Sequence, residues 1–100
     1  MDETPPPGWS LQDDALRRTV PCGDFVEALG FLVAVTKVAE AMDHHPDVDL
    51  RYNKLHLSLC THSAGHRVTE KDFQLAEKIN GLSEDQIRLK TQNLRGILVS

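Results

Sequence analysis

One hundred residues, 40% of them apolar and 26% charged, are enough for one hydrophobic core and too few for two, and the composition lacks the low-hydrophobicity bias of a disordered chain. The formal net charge of −4, with 11 scattered lysines and arginines, offers no basic stripe to neutralise phosphates and argues against direct nucleic-acid binding. No apolar run approaches a membrane span, the 2 cysteines lack CxxC spacing, and the acidic, proline-rich start MDETPPPG is unlike a signal peptide; a cytoplasmic protein with reduced thiols and no membrane contact is expected.

Residues 1–8 should be extended and poorly ordered up to Trp9, because successive prolines cannot build a helix interior. LQDDALRRTV reads either as a helical turn or as an edge hairpin turning at Asp13-Asp14; the hairpin is favoured. Pro21-Cys22-Gly23 breaks the pattern, and Asp24 with Glu27 three residues later forms a variant capping box. A helix from Phe25 follows, with Phe25, Ala28, Leu29, Leu32, Val35, Ala39 and Met42 as its buried stripe. It must stop by His45, since the residue before Pro46 is pushed out of the α region.

Residues 48–53 read as a short strand, and Tyr52-Asn53-Lys54 as the turn into a second. There Leu55, Leu57 and Leu59 alternate with His56, Ser58 and Cys60, so one face is buried. THSAGHR is a loop. Thr69 and Asp72 open a helix carrying Phe73, Ala76 and Ile79, closed by Asn80-Gly81. Ser83 and Gln86 cap a last helix with Ile87, Thr91, Leu94 and Leu98 on one face. Helices alternating with close strand pairs predict a two-layer α+β fold, an antiparallel sheet covered on one face by helices. The expected divisions are a disordered start over 1–8, a domain over 9–82 and a helical extension over 83–100.

Three of the five histidines fall at the two ends of the window HHPDVDLRYNKLHLSLCTH. Histidine gives or accepts a proton near neutrality, and His44, His45 and His62 could flank one substrate if the hairpin between them folds back. Glu40, four residues before His44, is placed to orient it, and Asp72 could do the same for His62. Against this, a His-His-Pro at a helix end is commonly a solvated cap, and Asp72 already has a reason to exist as a first-turn acid. Zinc on His44, His45, His62 and a carboxylate is disfavoured, because adjacent histidines rarely converge on one ion and no HExxH or Cys/His knuckle is present. Calcium is disfavoured further, since DVDLRYN lacks an EF-hand glycine and distal glutamate. His56 and His66 are assigned no role.

These residues also carry a resemblance to the pterin-4a-carbinolamine dehydratases, known too as dimerisation cofactors of a homeodomain transcription factor. The family pattern is a charged residue, three more, His-His-Pro, an aromatic residue six further on, a histidine ten later and an aspartate about ten beyond. Glu40, His44-His45-Pro46, Tyr52, His62 and Asp72 fill it. Gly8-Trp9 and TEKDFQLAEKI resemble other landmarks, so the likeness covers about residues 8–81. HSAGHRVTEKD departs by replacing the usual glycine-glycine-leucine with Gly65-His66-Arg67-Val68 and is one residue longer, which puts the placement of Asp72 in question. The resemblance implies a four-stranded antiparallel sheet, a homodimer or homotetramer, and dehydration of 4a-hydroxytetrahydropterin without metal or organic cofactor. It implies His44 and His62 as acid and base, His45 as pterin-orienting, Glu40 and Asp72 as supporting carboxylates, and Pro46 as the backbone turn. A non-catalytic partner, binding pterin in molybdopterin metabolism or stabilising another protein's dimer through the Ile87, Leu94 and Leu98 row, is the alternative.

Overall fold

The computed structural model describes residues 4–99. Its elements run β1 (Ser10–Gln12), β2 (Ala15–Pro21), α1 (Phe25–Met42), β3 (Asp47–Arg51), β4 (Lys54–Leu59), α2 (Glu70–Asn80) and α3 (Glu84–Leu98), with a 3-10 turn at His62–Ala64. The four strands form one antiparallel sheet in the order β1-β2-β4-β3. The first stretch is the expected hairpin: Asp13 and Asp14 both take positive φ, 51° and 58°, a left-handed pair that matches the twist of adjoining strands and that aspartate tolerates.

One sheet face is apolar. Leu55, Leu57 and Leu59 of β4 are buried beside Leu16 and Val20 of β2, against Phe31 and Val35 of α1 and Leu75, Ala76 and Ile79 of α2. Each such leucine contributes about 1.5–3 kcal/mol by leaving water, so the registry of β2 against β4 is strongly specified. The opposite face is polar, with the Thr19 hydroxyl 2.8 Å from His56 Nδ1. At the near end Pro6 is buried, and Asn80 joins three segments: its Oδ1 accepts from Trp9 Nε1 and Arg18 Nη1, and its amide donates to the Pro7 carbonyl.

Asp24 caps α1 as expected, accepting from the Glu27 N–H at 2.8 Å; that bond, then Arg95, holds its carboxyl below the usual range. The buried stripe of α1 is wider than predicted. Gly30, Phe31 and Ala34 are buried because α1 packs on both the sheet and α3, whereas Phe25, its first residue, is 46% exposed. Gly81 ends α2 as expected, with φ −79°, and the chain passes directly into the Ser83–Gln86 capping box of α3.

The α3 helix lies on α1. Arg95 Nη2 reaches Asp24 Oδ2 at 2.7 Å, and buried Thr91 sits on Gly30, where an added Cβ would be 2.1 Å from Thr91 Oγ1 and 3.0 Å from its Cα. Leu98, expected on the buried face, is 62% exposed because the last turn runs past the contact. Gly30→Ala should therefore force α1 and α3 apart and cost about 1–3 kcal/mol, read as a lower urea midpoint. An unchanged midpoint would show that α3 is not docked this way.

Candidate active site

Three chain segments meet at one end of the sheet. Helix α1 ends because Asp43 takes the left-handed conformation (φ 50°, ψ 44°) and Pro46 follows; the His44 N–H then closes on the Ala39 carbonyl at 3.1 Å. Strand β4 delivers Cys60, Thr61 and His62, and the loop after it is clamped where the Thr61 N–H donates to the Arg67 carbonyl at 2.8 Å. Helix α2 contributes its first turn through Thr69 and Asp72.

Asp72 is completely buried, and a carboxylate in that position must be hydrogen-bonded. Its Oδ1 lies 2.6 Å from His44 Nε2. Its Oδ2 accepts from the Thr61 hydroxyl and from the Thr69 N–H, both at 2.8 Å. Because a carboxylate only accepts, His44 Nε2 carries the proton and Nδ1 is left as the nitrogen available to a ligand. The His44 side chain is only 11% exposed, so this ring is held.

His45 and His62 are looser. His45 Nε2 pairs with Glu40 Oε2, both half-exposed. His62, 60% exposed, has Nε2 3.8 Å from Asp47 Oδ2 and its ring centroid 4.7 Å from that of His66. His44, His45, Pro46 and His62 line a common cleft of about 340 Å³, with Asp47, Thr61 and Lys71 on its walls. A larger depression of about 560 Å³ lies over the open sheet face around Arg17, Thr19 and His56, but His56 there is paired with Thr19.

Glu40, His44, His45, Pro46, His62 and Asp72 thus gather in one neighbourhood, but neither carboxylate holds the histidine expected of it. Glu40 serves His45, not His44, because the left-handed Asp43 ends the helical i,i+4 register before His44 is reached. Asp72 serves His44, not His62, because α2 begins beneath the end of α1. Tyr52 is exposed in the β3–β4 turn with φ 49° and does not line the cleft. Thr61, Asp47 and Lys71 were missed, although each adjoins a chosen residue, His62, Pro46 and Asp72 respectively. Cys60, His62 and His66 also present donor atoms within 4.8 Å of one another, and burial, then Asp47 and Asp72, push the Cys60 thiol up.

The sequence model of the family described as pterin 4 alpha carbinolamine dehydratase matches residues 1–82. The chain belongs to this family. A relative from Acidobacterium capsulatum named for pterin-4-alpha-carbinolamine dehydratase is 47% identical over 76 residues, covering 76% of this chain and 82% of its own. One from Thermomicrobium roseum is 48% identical over 77 residues, covering 77% and 82%. Among solved structures, a Brucella melitensis protein described as a transcriptional coactivator/pterin dehydratase superposes with a TM-score of 0.69 at 38% identity, over 75% of this chain and 81% of that one. A pterin dehydratase-like protein identified as a RuBisCO assembly factor of the alpha-carboxysome shares the fold alone, with a TM-score of 0.59 at 16% identity over 76% and 87%. The family match ends where α3 begins.

Asp72 performs two jobs in this member of the pterin carbinolamine dehydratase family, and two substitutions separate them. Asp72→Ala removes the cap on α2 and leaves Thr61 and His44 unpaired, for an expected loss of about 1–3 kcal/mol. Asp72→Asn keeps an acceptor for Thr69 and Thr61 but cannot hold His44 as a carboxylate does, so thermal unfolding should change less than the His44 ring resonances in NMR. Equal, small changes for both variants would refute the network.

Proposed function

We propose that the protein dehydrates 4a-hydroxytetrahydropterin to quinonoid dihydropterin, recycling the tetrahydropterin cofactor of aromatic amino-acid hydroxylases. The observation that carries this reading is the buried Asp72–His44 pair opening on the same cleft as His62. The family match and the relatives' names supply the substrate class.

The substrate is a carbinolamine, and its chemistry asks for one proton in and one proton out. An acid protonates the 4a-hydroxyl; the C4a–O bond breaks and water leaves as the neighbouring ring nitrogen's lone pair forms a C=N bond. A base then removes the proton on nitrogen. His44 and His62 act as this pair on opposite sides of C4a. His44 is the positioned member, its proton-bearing Nε2 on Asp72 and its Nδ1 free for the pterin. His62 is the accessible member, able to exchange protons with solvent. His45, steadied by Glu40, orients the pterin ring, and Pro46 fixes the turn that presents both histidines. No cofactor enters the scheme, because acid and base suffice. The reading includes a cytoplasmic location and a homodimer or homotetramer, for which the exposed edge strand β3 with Val48 is a candidate contact.

Positioned acid–base groups contribute about 10²–10⁴-fold to rate, so His62→Ala should lose that much turnover while keeping its circular dichroism spectrum. The assay is the ultraviolet decay of enzymatically generated 4a-hydroxytetrahydropterin. A folded wild type that does not accelerate the decay over buffer, or a His62→Ala variant as fast as wild type, would overturn the proposal. One observation favours a second role as a protein partner: Leu89, Ile97, Leu98 and Val99 are exposed on or just past α3. A partner-binding function would survive loss of His62, whereas the dehydratase would not.

A further inference from the structure

We infer that Cys60, His62 and His66 form a binding site for one zinc-class divalent cation, separate from the carboxylate-held His44. The three residues are spaced Cys-x-His-x-x-x-His across the end of β4 and the loop after it. Their ligating atoms lie within 4.8 Å of one another. One thiolate and two imidazoles are a borderline-soft set of the kind that selects zinc over magnesium or calcium.

The backbone explains the convergence. The Thr61–Arg67 bridge pins the two ends of the loop, and the 3-10 turn at His62–Ala64 reverses the chain. Gly65 and His66 then take left-handed conformations, φ 78° and 60°. This doubles the loop back and sets the His66 ring 4.7 Å from that of His62. A tetrahedral centre with bonds of about 2.0–2.3 Å draws its donors to about 3.3–3.6 Å apart. His62 and His66 are both exposed, so side-chain rotation closes the difference without moving the sheet. Asp47, whose Oδ2 is 3.8 Å from His62 Nε2, adds negative charge and is placed to fill the fourth position. His44 is not among these converging donors.

The site shares His62 with the proposed chemistry. A cation on the His62 imidazole occupies the lone pair that proton transfer needs, so metal acts here as a reversible inhibitor. That consequence rests on the dehydratase reading; the metal site does not.

The test is titration of the full-length protein with Co²⁺ under anaerobic, thiol-free reducing conditions, followed by optical absorption and by displacement with Zn²⁺. The expected result is one equivalent giving a thiolate charge-transfer band with intense four-coordinate ligand-field bands, both bleached by Zn²⁺. Cys60→Ser should abolish the charge-transfer band, and His66→Ala should weaken binding about tenfold or more, each variant being checked for fold by circular dichroism. Absence of the band in folded wild type, its survival in Cys60→Ser, or dependence on His45 in place of His66 would overturn the site. Dehydration of 4a-hydroxytetrahydropterin with and without Zn²⁺ forms a separate arm, in which His66→Ala should be at least several-fold less sensitive to zinc than wild type. Because the optical titration reads metal alone, it decides the site whether or not dehydration is observed.

Discussion

A carboxylate without access to water organises this molecule. Burying the Asp72 charge is tolerable only if its oxygens are hydrogen-bonded, and the partners come from three places: His44 after α1, Thr61 after β4 and Thr69 at the start of α2. The bond to the Thr69 N–H is also the cap of the helix that carries Asp72. One side chain therefore stabilises α2 and fixes where α1 and β4 end relative to it. Among the described residues no buried side-chain nitrogen or oxygen lacks a partner.

That constraint divides the histidines by mobility. His44 is locked in one orientation, while His45 and His62 reach the cleft from exposed positions and are restrained by carboxylates in contact with water. One ring is thus placed precisely while the other two stay in contact with solvent. The same exposure places His62 beside Cys60 and His66 at the loop following β4. Within that loop His66 adopts a conformation that is uncommon for a residue with a side chain.

Local rules explain most of the elements. Asp24 and Ser83 cap the helices that follow them, Asp13-Asp14 turns the first hairpin, and alternation in β4 identified Leu55, Leu57 and Leu59 as core. Each is a property of residues within a few positions of one another. The misreadings share the opposite character. Phe25 and Leu98 were placed on buried stripes by periodicity, yet each sits at a helix end and is exposed.

The sequence by itself determined the fold class, the hairpin, the caps at the helix starts, the buried face of β4, the family and four of the residues that line the cleft, His44, His45, Pro46 and His62. These follow from short-range sterics, period and the order of residue types along the chain. Only the tertiary structure decided which carboxylate serves which histidine. Helical spacing pointed from Glu40 to His44, but a single left-handed residue, Asp43, ended that spacing and handed His44 to Asp72, 28 residues away. Such pairings depend on where two elements come to rest against each other, and that position is set by the packing of the whole core.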